Sequence, residues 1–145
     1  MATMLTAELN AGHVEAAVAL WEQVGLTRPW NDAPADFARA VDGPASAVLG
    51  GFAGDQLIAT AMVGHDGHRG WVYYLAVAET AQGNGHGAAM MAACEQWLRA
   101  RGVPKVNLMV RATNAAANGF YDALGYGDDD VQVRSKRLSP GRPGP

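Results

Sequence analysis

The sequence predicts one α/β (α+β) domain, a mixed β-sheet with helices on both faces, and three observations lead there. Apolar residues switch repeatedly between helical spacing and short strand-like runs, with no internal repeat. Residues 46–52 and 56–63 are two such runs separated only by Ala53-Gly54-Asp55, the mark of an antiparallel hairpin, whereas residues 71–77, 87–101 and 105–110 read strand, helix, strand. Finally, 145 residues with 49% hydrophobic and 17% charged side chains suit a single globular core, and a chain of about this length buries roughly 68 to 70% of its unfolded surface.

Residues 2–9 form a first strand. Val14, Ala17, Val18, Trp21 and Val24 then recur at helical spacing, and Gly25 stops that helix. In the segment interrupted by Pro29 and Pro34, Asp32 caps a second helix whose first turn tolerates Pro34. The hairpin follows, then the turn Gly64-His65-Asp66-Gly67-His68-Arg69-Gly70 and the aromatic, β-branched strand 71–77. A helix over 87–101 carries Met90, Met91, Cys94, Trp97 and Leu98 along one side and ends at Gly102 and Pro104. Residues 105–110 are a short strand, 114–124 a helix stopped by Gly125, 130–138 a last alternating strand, and 139–145 a loose tail. The expected order is β, α, α, β, β, β, α, β, α, β.

The formal net charge of -3 offers no global attraction to nucleic acid or to an anionic membrane, and no apolar run is long enough to span a bilayer. Residues 1–10 have neither the basic start nor the apolar block of a signal peptide, so a cytoplasmic location is expected. The one cysteine, Cys94, has no partner for a disulfide or a structural metal site and sits in an apolar helical run, where a small buried side chain is expected.

Chemistry concentrates in residues 79–91, where Gly83, Gly85 and Gly87 precede a helix. A loop entering a helix N-terminus presents unpaired N–H groups and the positive end of the helix dipole, and glycine lets a phosphate approach closely. Gly83, Gly85 and Ala88 fit a dinucleotide fingerprint, but the acidic residue required about 20 positions later is absent. A nucleotide P-loop would need Gly-Lys-Ser or Gly-Lys-Thr, which does not occur. The frame Gln82-x-x-Gly85-x-Gly87 fits its flanking sequence on both sides.

In that frame, residues 73–91 resemble the acetyl-CoA motif of the GNAT family of N-acetyltransferases, in which a strand, a Q/R-x-x-G-x-G/A loop and a helix hold the cofactor pyrophosphate. Residues 114–126 are similar to the family's late helix, with Asn114, Tyr121, Gly125 and Tyr126 at matching spacing. The likeness runs over about residues 3–138 and is strongest to the YpeA-like branch, related to the ribosomal-protein alanine acetyltransferases. It implies a mostly antiparallel sheet of six to seven strands within one domain, 1–138. The function implied is acetyl transfer from acetyl-CoA, without a metal, to a primary amine of a small molecule or a peptide N-terminus. Where the family often has proline, a basic residue and an aliphatic, this chain has Glu79, Asn84 and His86.

The same resemblance assigns roles. Strand 71–77 would splay from its neighbour, in such folds often with help from a bulge, so that Leu75, Ala76 and Val77 offer an edge to the pantetheine arm; Gln82, Gly83, Asn84, Gly85, His86, Gly87 and Ala88 would grip the diphosphate; Asn114 would bond the pantetheine. Tyr121, which also belongs to the cofactor set, would be the general acid that protonates the leaving thiolate, a task suited to a phenol of pKa near 10. Neither strand 71–77 nor segment 105–110 holds a carboxylate to act as base. A lysine-like amine gives up about 4.6 kcal/mol to become neutral at pH 7 and an α-amine only about 1.4 kcal/mol, which points to a low-pKa amine deprotonated through water. Glu79 at the strand end could serve as base or stand as a solvated loop carboxylate, and His65 and His68 are polar groups of the turn 64–70. Acceptor recognition falls by analogy to segment 27–32 and the turn 65–70, with Trp30, Asp32, Asp36 and Arg69 as candidates and Arg111 facing acceptor or solvent, each equally explained by packing, capping or solvation. Strand edges leave room for a homodimer. The alternative function is a non-catalytic acyl-CoA-binding regulatory module.

Overall fold

The computed structural model describes residues 3–139, and the chain forms two compact units, Met1–Leu108 and Met109–Pro145. Of the tail expected at 139–145, everything after Ser139 lies outside the described residues.

In the first unit, strand β1 (Leu5–Glu8) leads through a 3-10 turn, Ala11–His13, into helix α1 (Val14–Gln23). Asn10 caps that turn by accepting from the Gly12 N–H at 2.9 Å, and Gly25 beyond the helix takes φ +77°. Helix α2 (Ala33–Asp42) begins as the sequence predicts, with Asp32 accepting from the Ala35 N–H at 3.1 Å and proline in the first turn. Strands β2 (Ser46–Ala53), β3 (Gln56–His65) and β4 (Gly70–Val77) form a meander, followed by helix α3 (His86–Arg99) and strand β5 (Val106–Asn107).

The strands lie in the order β1-β2-β3-β4-β5, antiparallel except for the parallel β4–β5 pair. Because strand side chains alternate, Val48, Ile58 and Ala76 join Ala17, Leu20, Trp21, Phe37 and Ala40 in the core under α1 and α2. Ala47, Ala59, Ala61 and Val63 take the opposite face, which α3 covers with its buried side chains Met90, Met91, Cys94, Trp97 and Leu98. The approach of α3 is close enough that a Cβ on Gly70 would meet Leu98 Cδ1 at 2.6 Å. Helices on both faces and a mostly antiparallel sheet are therefore as expected.

Three expectations need correction. The sheet has five strands among the described residues, not six or seven. Residues 130–138 keep their alternation but form no strand: Val131, Val133 and Leu138 are exposed, and no ladder bonds are made. Alternation fixes which way side chains point, yet a strand also needs a neighbour's N–H and C=O groups. The strand expected at 105–110 shrinks to Val106–Asn107. In the second unit, helix α4 (Ala115–Ala123) is capped by Asn114, which accepts from the Ala117 N–H at 3.1 Å, and is followed by Gly125 at φ +90°.

Candidate functional site

Strand β4 is paired with β5 only through Gly70 and Trp71, so its later half, Tyr73 to Val77, has an open edge on that side among the described residues. On the other side its register slips. Met62 faces Tyr73 and Thr60 faces Ala76, so a span of two residues on β3 is matched by a span of three on β4. That extra residue is a β-bulge, and Tyr74 within it has φ +52°. Its ring stacks on Trp21 at 4.0 Å and 14°, its hydroxyl donates to Asp36 Oδ2 at 2.9 Å, and its carbonyl accepts from the Thr60 hydroxyl at 3.0 Å. Thr60 is fully buried and itself accepts from the Trp21 indole N–H at 2.8 Å. A polar chain inside the core thus holds the kink.

The strand ends in a 3-10 turn, Glu79–Ala81, and the glycine loop. Gln82 ties this loop back to the strand, its Nε2 donating to the Val77 carbonyl at 3.0 Å, while Asn84 Nδ2 donates to Ala81 O at 3.0 Å. Gly83 and Gly85 take φ +82° and +79°, a region that favours glycine, and turn the chain into α3. None of the main-chain N–H groups from Gly83 to Ala88 has an acceptor among the described residues. Together with the helix dipole they form a concave set of donors suited to an anion. His86 is half-buried at the start of the helix.

A cleft of about 740 Å³ opens on the α1/α2 face, lined among others by Asp36, Asp66, Met62, Trp71, Tyr73 and Tyr74. Asp36 is engaged on both oxygens, with Tyr74 and with the Arg39 guanidinium at 2.6 Å. Asp66 accepts from the main-chain N–H groups of Arg69 at 2.8 Å and His68 at 2.9 Å and from the Trp71 indole at 3.3 Å, and these donors lower its pKa to about 2. Burial raises the Tyr73 phenol, and the Asp66 charge adds to that. Tyr74 is pushed up to about 12, first by burial, then by its bond to Asp36.

Of the predicted acceptor residues, Asp36 lines the cleft and Asp32 is a helix cap. Trp30 is half-buried, and Arg69 donates to the His68 carbonyl within the turn. His65 lines the cleft beside Trp97, His68 is exposed, and Glu79 is exposed in the 3-10 turn. Reasoning from sequence named the turn 65–70 without singling out Asp66 in it and missed Trp71 and Tyr73; the Asp66-Gly67 pair, a turn signal ahead of an aromatic strand, was the available clue. Cys94 is buried and its thiol is pushed up to about 12 by burial and then by Glu95, in keeping with a core role. Arg101 donates to the Trp97 carbonyl at 3.0 Å near the C-terminus of α3, where a cation is favoured without any ligand.

In the second unit, Asn114 uses its side-chain oxygen as the α4 cap, and its Nδ2 has no acceptor among the described residues. Tyr121 is half-buried and packs edge-on to Phe120 and Tyr126, with ring centroids 4.9 and 5.7 Å away. Arg111 is exposed, and its carbonyl accepts from Asn118 at 3.1 Å.

The family model described as acetyltransferase (GNAT) family matches residues 13–126. An acetyltransferase of Pectobacterium atrosepticum is 40% identical over 124 residues, covering 86% of this chain and 88% of the relative. Among solved structures, an aminoglycoside N-acetyltransferase in complex with CoA superposes with a TM-score of 0.82 at 18% identity, covering 95% of this chain and 97% of that one. A predicted acetyltransferase from Clostridium acetobutylicum solved with acetyl-CoA gives a TM-score of 0.76 at 16% identity, covering 92% of this chain and 96% of that one.

Proposed function

This chain belongs to the acetyltransferase (GNAT) family and is an acyl-CoA-dependent N-acetyltransferase; from that premise we propose that its donor is acetyl-CoA and its acceptor a primary amine of a small molecule or a peptide N-terminus. One observation carries the reading: an open strand edge at Leu75, Ala76 and Val77 leads through the 3-10 turn Glu79–Ala81 into a loop whose N–H groups from Gly83 to Ala88 have no acceptor among the described residues. The diphosphate would lie on those N–H groups and the pantetheine arm along the edge, like an added strand. Gln82 and Asn84 would hold the loop in shape, and the Asn114 amide would donate to the pantetheine.

In the reaction the amine nitrogen bonds to the acetyl carbon, the carbon–sulfur bond breaks, the nitrogen loses a proton and the thiolate gains one. A main-chain N–H of the Leu75–Val77 edge would steady the developing oxyanion, worth about 3 to 4 kcal/mol for such donors. Tyr121 would protonate the thiolate. We place the work in the cytoplasm and assign residues 1–138 to one acyltransferase domain. Membership of a family of enzymes sets aside the regulatory-module alternative.

Acetyl-CoA at 100 times Kd should add about 2.7 kcal/mol of stability, and thiol release against an amine panel should report turnover. Tyr121→Phe should lower kcat while leaving the acetyl-CoA-induced thermal shift intact; unchanged kcat removes Tyr121 from the mechanism, and no shift with acetyl-CoA ends the donor assignment.

A further inference from the structure

The cleft on the α1/α2 face holds two carboxylates in different states. Asp36 already has the Arg39 cation on one oxygen and the Tyr74 hydroxyl on the other. Asp66 has only neutral partners, the N–H groups of His68, Arg69 and the Trp71 indole, and no lysine or arginine side chain pairs with it among the described residues. Those donors fix the orientation of the carboxylate without neutralising it. Trp71 meets it through its indole N–H, and the Tyr73 ring stacks on Trp71, centroids 6.5 Å apart and within 15° of parallel. An oriented carboxylate beside two aromatic rings is a seat for a cation.

That seat does not suit the nitrogen that reacts. A carboxylate next to an amine stabilises the ammonium form, whereas attack on a thioester needs the neutral amine. Position separates the two as well, since Trp71 stands four residues before Leu75 on β4 with the bulge at Tyr74 between them, a separation on the order of 10 Å.

Resting on the donor site proposed above, we infer that the acceptor carries two basic nitrogens on the order of 10 Å apart: one held as a cation between the Asp66 carboxylate and the Trp71 and Tyr73 rings, the other the primary amine acetylated at the open edge of β4. The substrate class is an extended diamine or linear polyamine, whose lysine-like reacting nitrogen departs from the low-pKa amine expected from the sequence and gives up about 4.6 kcal/mol to become neutral at pH 7. A cleft of about 740 Å³ has room for such a chain. The anchored nitrogen keeps its proton throughout; only the distal nitrogen exchanges a proton for the acetyl group.

The test uses the full-length protein, acetyl-CoA and three acceptors: 1,8-diaminooctane, 8-amino-1-octanol and 1,3-diaminopropane. The long diamine should exceed both others in kcat/KM by about tenfold or more, the worth of about one charge-assisted contact. Asp66→Asn keeps an oxygen to accept the turn's N–H groups but removes the charge, and should raise KM for the long diamine about tenfold with kcat within about twofold. Circular dichroism and the acetyl-CoA thermal shift verify that the variant is folded and loaded. A protein that shifts with acetyl-CoA yet turns over the long diamine no better than the amino alcohol, or not at all, overturns the two-nitrogen inference alone. A protein with no shift overturns the donor site and this inference with it.

Discussion

Gly85 and Tyr74 share a left-handed backbone, φ +79° and +52°, and maintain it by opposite means. Gly85 needs no support: no Cβ penalises the conformation, and a Cβ built there would find nothing within 4 Å. Tyr74 is a bulky residue in a region that such residues rarely adopt. Its ring, hydroxyl and carbonyl are each held by a different residue: Trp21, Asp36 and Thr60. One site shapes the loop by absence of side chain and the other bends the strand by an excess of side-chain bonds. Conformational strain at a site persists only where its surroundings over-determine it, and here those surroundings are a buried polar chain.

The contrast breaks most sharply at Thr60. Thr60→Val keeps the shape but strands the Trp21 indole N–H and removes the donor to the Tyr74 carbonyl. An orphaned buried group costs about 1 to 3 kcal/mol, so a loss of about 3 kcal/mol is expected, lowering Tm by about 6 to 12 °C in a domain near this size. The bulge should relax with it, raising KM for acetyl-CoA, while Thr60→Ser restores most of both. Denaturant unfolding and thiol-release kinetics on the three proteins check this. A valine variant as stable as the parent would mean that ladder pairing alone holds the bulge.

The same contrast explains what could be read from the sequence. The cradle is local: glycines within a few residues of one another, a strand before and a helix after, so Gly83, Gly85 and the start of α3 were legible from residues 79–91 alone. The α2 cap was legible for the same reason, because Asp32 and Ala35 are three apart. The bulge was suggested only by the family resemblance; its position at Tyr74 and what holds it were not legible, since its partners Thr60 and Asp36 lie 14 and 38 residues from Tyr74 and no spacing rule links them. The cleft shared that fate: the bulge turns Tyr73 and Tyr74 toward one face, which strict alternation in residues 71–77 forbids. At the far end, residues 130–138 had the pattern of a strand and lacked the ladder. Side-chain periodicity is written in one segment; hydrogen-bond partners are not.

Gly85→Ala tests the other member of the pair. Left-handed backbone costs a residue with a Cβ about 1 to 2 kcal/mol, so the protein should be destabilised by that amount with its core unchanged. The new methyl group would project into the open space above the loop, and Kd for CoA should rise about tenfold, equivalent to about 1.4 kcal/mol. Isothermal titration against CoA and unfolding in its absence separate the two effects. An unchanged Kd would mean that the loop does not grip the diphosphate.

The smallest expected effect comes from Tyr74→Phe, which leaves the ring on Trp21 and the carbonyl on Thr60 and deletes only the hydroxyl bond to Asp36. A single hydrogen bond is worth about 1 kcal/mol, so the bulge should survive and acetyl-CoA turnover with it. The diagnostic is pH. With its pKa raised from 10.0 to about 12 in the folded protein, Tyr74 keeps its proton where the unfolded chain has already released it. Its contribution to stability is therefore complete below pH 10 and is lost as pH rises through about 12. Tyr73, also raised, is present in both proteins, so the difference between their stability curves isolates Tyr74. The parent should lose stability more steeply than Tyr74→Phe between pH 10 and 12, with a matching late component in tyrosinate absorbance. Parallel curves across that window would show that the phenol ionises freely, and the hydroxyl would then contribute nothing to holding the bulge.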